Sequence, residues 1–315
     1  MKNNSNGILG LIGNTPIIKL RNIGKKYNAN IWVKLENLNP SGSIKDRIAL
    51  QMIEDAEARG DIEKGFTIVE SSSGNTAIAL SFVGKLKGYR VVIFLPEVVA
   101  QEKFRVIERY GAEFRSVKVG KEYYDSSLHG SHIEVPGRIM CRDMEAEEPN
   151  TWWARQFSNP SNYKAQMKLG EEILSQLGQN IDAFVASVGT GGTLFGVGKI
   201  LKQNIKKIKV IAAEPSESSH VSLTNFEVIP GITGGILQNI LDSKIVDQNV
   251  SLKDKEAIEM CHRLALEEGL FVGVSSGANV LTALNIAKDL GKNCNIVTVI
   301  PDRGDRYITS EHYVT

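Results

Sequence analysis

In Ala183-Phe184-Val185-Ala186-Ser187-Val188-Gly189-Thr190-Gly191-Gly192-Thr193, a short apolar run ends in a turn with three glycines in five positions, and a helical pattern follows from Thr193 to Gln203. Strand, tight turn and helix in that order are the unit of a parallel sheet covered by helices. The glycines let backbone amides close around a phosphate, the helix N-terminus adds to the positive field, and the threonines add hydroxyl donors. The turn is neither G-x-G-x-x-G nor a Walker loop, since no Gly-Lys-Ser/Thr follows, and a Rossmann dehydrogenase is set aside on that ground.

Three further turns repeat the pattern. Glu70-Ser71-Ser72-Ser73-Gly74-Asn75-Thr76-Ala77 gathers hydroxyls and backbone N–H groups suited to a carboxylate or phosphate, although Ser73 or Asn75 also fits a plain helix cap. Asn39-Pro40-Ser41-Gly42-Ser43-Ile44-Lys45-Asp46-Arg47 places Lys45 in a first helical turn. There the dipole disfavours a cation, partial burial lowers an amine's pKa, and a neutral amine suits Schiff-base chemistry. The same residues also fit a solvated lysine with Ser43 as N-cap. Gly273-Val274-Ser275-Ser276-Gly277-Ala278 feeds another helix.

Outward from these turns, strands are expected at Ile31–Leu35, Thr67–Glu70, Arg90–Leu95, Glu113–Val117, Ala183–Ser187, Lys209–Ala213 and Asn295–Ile300. Helices are expected at Lys45–Arg59, Asn75–Lys87, Gln101–Tyr110, Tyr163–Leu177, Thr193–Gln203, Lys253–Glu268 and Gly277–Leu290. Runs such as Val91-Val92-Ile93-Phe94-Leu95 are apolar throughout, as in strands buried on both faces. A polar seam between about Gly137 and Pro160, with no strand signal in Arg142–Asn150, divides the chain into an N-terminal α/β half, 1–150, and a C-terminal half, 151–315. A ligand site is expected between them, beyond the strand C-termini.

Composition narrows the class. Lys+Arg 37 against Asp+Glu 36 leaves a net charge of +1 over 315 residues, without the basic excess of a nucleic-acid binder. Hydrophobic content of 42% with 23% charged residues is that of a globular chain, and no apolar run is long enough for a membrane span. No signal peptide is visible, and three widely spaced cysteines, Cys141, Cys261 and Cys294, point to a reducing cytoplasm rather than a disulfide framework or zinc site.

Gly13-Asn14-Thr15-Pro16, Pro40–Arg47, Ser73–Thr76, Gln156-Phe157-Ser158-Asn159-Pro160, Gly189–Thr193, Ser275–Ala278 and Gly304-Asp305-Arg306-Tyr307 stand in that order. In this set the chain resembles the cysteine synthase (O-acetylserine sulfhydrylase) and cystathionine β-synthase family, the tryptophan-synthase-β-like pyridoxal phosphate enzymes of fold type II. The resemblance runs from about Ile12 to Tyr307.

It implies two three-layer α/β domains with mostly parallel sheets, pyridoxal 5′-phosphate in the cleft between them, and a homodimer; the first strand is free to pack on the other domain. It implies that Lys45 holds the cofactor as an internal aldimine and then serves as general base. Gly189, Thr190, Gly191, Gly192 and Thr193 would cup the phosphate, Asn75 would bond the 3′-oxygen, and Ser275 would face the pyridine nitrogen. Ser72, Ser73, Thr76 and Gln156 would bind the substrate α-carboxylate. A hydroxyl at the ring nitrogen makes a weaker electron sink than a carboxylate would, which favours fast β-elimination to an α-aminoacrylate and addition of a nucleophile.

The first expectation is O-acetylserine plus sulfide giving cysteine and acetate. Rivals are a cysteine-using enzyme that releases hydrogen sulfide and gives serine, lanthionine or cystathionine, an O-phosphoserine-dependent synthase with sulfide or an amine nucleophile, and a non-catalytic relative without cofactor. Ala77 replaces the family's usual glycine and would place a Cβ near the substrate pocket. Gln166–Ile173 and Gly231-Ile232-Thr233-Gly234-Gly235-Ile236 also depart from the usual pattern. Pro301-Asp302-Arg303-Gly304-Asp305-Arg306-Tyr307 resembles members that use O-phosphoserine, whereas Ser216-Glu217-Ser218 lacks an arginine some of them carry. Arg303 is either a contact for an acidic group or a surface charge. His129, His132 and Glu134 fit no closed zinc pattern, so no metal is expected, and Trp152-Trp153 are expected to pack.

Overall fold

The computed structural model describes residues 7–96, 101–118, 135–215, 235–309 and 313. The chain runs β1 (Ile17–Lys19), β2 (Asn30–Lys34), α1 (Lys45–Arg59), β3 (Thr67–Ser71), α2 (Asn75–Leu86), β4 (Arg90–Pro96), α3 (Gln101–Arg109) and β5 (Glu113–Val117). It continues through α4 (Val135–Glu147), β6 (Thr151–Trp153), α5 (Pro160–Leu177), β7 (Ala183–Ser187), α6 (Gly192–Asn204) and β8 (Lys209–Pro215). Then follow α7 (Gly235–Ser243), β9 (Gln248–Leu252), α8 (Asp254–Glu268), α9 (Val274–Leu290) and β10 (Asn295–Val299).

Two sheets form, of order β1-β2-β10-β7-β8-β9 and β5-β4-β3-β6. Every pair is parallel except β1 on β2, where Ile17 lies opposite Lys34. Sheet membership does not follow the halves of the chain: β1 and β2 lie in the sheet of the second half, and β6 lies beside β3 in that of the first.

The apolar runs alternate between two cores. In the smaller sheet Val91, Ile93 and Leu95 pack with α1 and α2 residues such as Met52 and Leu80, while Val92 and Phe94 pack with Cys141 and Met144 of α4. In the larger sheet Val185, Ile211 and Ile296 face α8 and α9, and Phe184, Val210 and Val297 face α5 and α6. Each such Val, Ile or Phe contributes roughly 1.5–3 kcal/mol on burial, so neither face tolerates a polar alternation.

Several expected boundaries shift. The polar seam after Gly137 is largely the helix α4, because Val135, Arg138, Cys141 and Met144 recur every third residue and turn one buried stripe to the sheet. Helix α5 begins at Pro160 rather than Tyr163: the Asn159 side chain accepts from Ser161 N at 3.0 Å, and proline suits the first helical position. Helix α9 begins at Val274, so Gly277 lies inside it. A Cβ at Gly277 would sit 2.0 Å from the Ala257 carbonyl oxygen, and the glycine is therefore a close contact between α8 and α9.

A buried ionic cluster ties the early motifs together. Arg47 Nε and Nη2 donate to both Glu36 oxygens at 2.6 and 2.9 Å, and Nη1 and Nη2 donate to both Glu172 oxygens at 2.7 and 2.8 Å. Lys34 Nζ lies 2.8 Å from Glu172 and donates to the Thr15 carbonyl at 2.5 Å; the Thr15 hydroxyl donates to Glu36 at 2.6 Å. Burial pushes the Glu172 carboxyl upward, but the Arg47 guanidinium and Lys34 ammonium outweigh it and hold Glu172 at about 2. The Gly13-Asn14-Thr15 turn, β2, α1 and α5 are thus joined at one point.

Candidate active site

Lys45 opens α1 after a turn in which Gly42 takes φ +90° and a Cβ would meet Arg303 and Arg306. The lysine is half-buried. The hydroxyl of buried Ser43 accepts from Lys45 N at 3.3 Å, but the N-cap of α1 is Ile44 and carries no side-chain cap, so Ser43 does not hold the cap position of the plainer reading. Asp46 accepts from Ser41 N at 2.7 Å and from the Ser41 hydroxyl. Its burial pushes the carboxyl up to about 6 against those hydrogen bonds and the Arg306 charge. The turn is anchored to the chain after β10: Ile44 N donates to the Pro301 carbonyl at 2.8 Å, and Ser43 pairs with Asp302.

The second loop leaves β3 and opens α2. Thr76 and Gln156 are buried, and the Thr76 hydroxyl donates to Gln156 Oε1 at 2.6 Å. Gly74 N donates to the Ser72 hydroxyl at 3.3 Å. Behind this pair lies Glu70, a residue the sequence did not single out. Its carboxylate accepts from Ser71 N at 2.9 Å, Trp153 Nε1 at 3.0 Å and Gln156 N at 2.9 Å. Burial raises the Glu70 pKa even against these three donors. Trp153 is therefore packed, as expected, and also orients the carboxylate beneath the loop.

The third loop follows β7. Gly191 takes φ +83°, and a Cβ at Gly192 would lie 2.0 Å from Asn162 Oδ1. Asn162 Nδ2 donates to the Gln156 carbonyl at 2.7 Å and the Thr190 hydroxyl at 3.0 Å, which joins this turn to the second loop. A Cβ at Gly189 or at Gly74 would meet nothing within 4 Å. Both turns thus face open space that a side chain would fill. Among the described residues, no group accepts from the backbone N–H of Gly189, Thr190 or Gly191. An anion-shaped cradle of unspent donors at a helix N-terminus fits a phosphate.

Ser275 is half-buried in the first turn of α9. Asn279 of the same helix ties together the ends of two strands: its Oδ1 accepts from Ser187 N at 2.6 Å, and its Nδ2 donates to the Val299 carbonyl at 2.9 Å. The helix starts that follow the four turns, observed at Lys45, Asn75, Gly192 and Val274, are thereby linked through Asp302, Gln156, Asn162 and Asn279 at the C-terminal ends of the strands. That is where open parallel sheets place ligands.

One substrate-side expectation changes, and one alternative is decided. Ala77 is fully buried within the core of α1, α2 and the smaller sheet, so its methyl packs there rather than narrowing the pocket. Arg303 is exposed and pairs with Asp305 at 2.9 Å, a surface charge. Ser216-Glu217-Ser218, Gly231–Gly234, His129, His132 and Glu134 lie outside the described residues. No helix among the described residues is long and apolar enough to cross a membrane.

The family model described as "Pyridoxal-phosphate dependent enzyme" matches residues 8–302. The chain is 41% identical over 310 residues to a cysteine synthase of Staphylococcus aureus, covering 97% of this chain and 96% of that one. It is 35% identical to an O-ureido-L-serine synthase of Streptomyces lavendulae over 97% of this chain and 91% of that one. The crystal structure of O-acetyl serine sulfhydrylase isoform 3 from Entamoeba histolytica superposes with a TM-score of 0.86 at 31% identity, covering 100% of this chain and 93% of that one.

Proposed function

The chain belongs to the pyridoxal-phosphate dependent enzyme family, and on that premise we propose that it replaces the β-substituent of a serine-type amino acid, converting O-acetylserine and sulfide to cysteine and acetate. The observation that carries the reading is the Thr76–Gln156–Asn162–Thr190 chain of hydrogen bonds, which sets a carboxylate-type loop directly beside a phosphate-type cradle.

Lys45 would attach the cofactor, Gly189–Thr193 would hold its phosphate, Asn75 its 3′-oxygen, and Ser275 would face its ring nitrogen. Bound there, pyridoxal phosphate supplies the electron sink that acidifies the amino acid's Cα–H and lets the β-substituent leave. Lys45 Nζ moves the proton from Cα. Ser72, Ser73 and Gln156 Nε2 orient the α-carboxylate; the Thr76 hydroxyl is engaged as donor to Gln156 Oε1, and Nε2, which donates one N–H to the Ser71 carbonyl at 3.5 Å, keeps its second N–H for substrate. We read the two sheets as two domains around this cleft, residues 1–150 and 151–315 with β1 and β2 lent to the second, and the protein as a cytoplasmic homodimer.

The test is turnover of the cofactor-loaded protein with O-acetylserine, O-phosphoserine and cysteine supplied separately, with sulfide as acceptor for the first two. Cysteine formed from O-acetylserine, and lost in a folded Lys45→Ala variant, is the expected result. Turnover with cysteine or O-phosphoserine alone would overturn the choice of donor.

A further inference from the structure

Asn75 stands at the start of α2 in the smaller-sheet half, yet both ends of its side-chain amide are held by residues that follow β10 of the larger sheet. Its Nδ2 donates to Asp302 Oδ2 at 2.6 Å, and its Oδ1 accepts from Arg306 Nη1. Asp302 is buried, and the same Oδ2 accepts from the Tyr307 hydroxyl at 2.6 Å. Gly273 makes room for it: a Cβ there would lie 2.2 Å from Asp302 Oδ1. The other Arg306 nitrogen, Nη2, donates to the Ser41 carbonyl in the turn before Lys45.

An asparagine amide normally has two orientations of similar energy, related by a half-turn. Here the half-turn would set an oxygen against a carboxylate and an amino group against a guanidinium, so only one orientation survives. Asp302 takes one of the two N–H groups of Nδ2. The second has no acceptor among the described residues, and donation from the Arg306 charge to Oδ1 strengthens it as a donor.

We propose that Asp302 and Arg306 are positioning residues that clamp the Asn75 amide across the cleft so that its remaining N–H meets the 3′-oxygen of bound pyridoxal phosphate. The inference rests on the role given to Asn75 under Proposed function.

The test is the affinity of the apoprotein for pyridoxal phosphate, read from tryptophan quenching, together with the pH midpoint of the bound cofactor's absorbance. Asn75→Ala, Arg306→Gln, Arg306→Lys and Asp302→Asn would be measured singly, and the last three again in the Asn75→Ala background. Arg306→Gln and Asp302→Asn should each weaken binding by about tenfold, the scale of one charge-assisted hydrogen bond, and move the pH midpoint. Arg306→Lys should restore part of the loss. In the Asn75→Ala background the same changes should alter affinity less than about twofold, because the group they orient is gone.

Equal effects in both backgrounds, or no effect of Arg306→Gln beside a clear effect of Asn75→Ala, would overturn the clamp and leave the role of Asn75 standing. No effect of Asn75→Ala itself would overturn that role and the clamp with it. Arg306 is partly exposed, so its variants decide the question even if Asp302→Asn fails to fold.

Discussion

Glu172→Gln should cost the fold about 3 kcal/mol at pH 7 and progressively less in acid. The two Glu172 oxygens accept from Arg47 Nη1 and Nη2 at 2.7 and 2.8 Å and from Asn14 N at 3.0 Å, and Lys34 Nζ stands at 2.8 Å. The carboxyl is held at about 2 against an ordinary 4.5, a difference worth about 3 kcal/mol. Because the folded-state value is depressed, the stabilisation is complete above pH 4.5 and fades as the pH falls through 2. By pH 3 about 1.4 kcal/mol remains. An independent argument gives the same scale: removing one member of a buried ion pair costs about 3–5 kcal/mol, and here Lys34, fully buried, would lose its carboxylate. Urea unfolding of both proteins between pH 3 and pH 7 measures it, with Trp32 reporting on the larger sheet and Trp152 and Trp153 on the smaller. A penalty under about 1 kcal/mol at pH 7, or one that stays constant down to pH 3, would refute the cluster as a source of stability.

Gly192→Ala would push a Cβ to 2.0 Å from Asn162 Oδ1, so it should destabilise by about 1–3 kcal/mol and weaken cofactor binding, measured by equilibrium dialysis of pyridoxal phosphate. The three cysteines are buried, with burial pushing the Cys261 thiol up to about 12 and those of Cys141 and Cys294 upward as well. Thiol reagents should therefore label native protein slowly and all three positions quickly in denaturant, as mass spectrometry would show. Ala77→Gly should lower stability by about 1 kcal/mol through its lost core methyl and looser helix, while the ratio of kcat/KM between competing amino-acid donors stays within about twofold. A changed donor ratio would mean that the Ala77 methyl reaches the pocket after all.

Most strands that the sequence marks are apolar runs buried on both faces, such as β3, β4 and β7; β5, an edge strand with mostly exposed residues, is marked as well. Ala183–Ser187 and Glu113–Val117 coincide with β7 and β5, and the other expected strands fall within a residue or two. The unmarked strands β1, β6 and β9 are all sheet edges. An edge strand has one neighbour and a solvated flank, so it needs no unbroken apolar run; β9 exposes its polar residues Gln248, Asn249 and Ser251. Helix α4 was hidden for a related reason. Its stripe is one residue wide, its first turn contains Pro136 and Gly137, and its remaining positions are mostly charged or polar. Local pattern carries little information where burial is narrow.

The site divides along the same physical line. Lys45, Ser72, Asn75, Gly189–Thr193 and Ser275 could be picked out because each sits in or beside a Gly- and Ser-rich turn that opens a helix. Glu70, Asn162, Asp302 and Arg306 act on them through partners far along the chain: Asp302 meets Asn75 across 227 positions, and Glu70 meets Gln156 across 86. No periodicity encodes such a pairing. In Pro301–Tyr307 the sequence drew attention to Arg303, whose charge turns to solvent, while the neighbours that enter the cleft, Asp302 and Arg306, read as part of a motif without a task. Burial separates them. A carboxylate left 1% exposed must be answered by donors, and those donors, Asn75 and Tyr307, are what place it in the site.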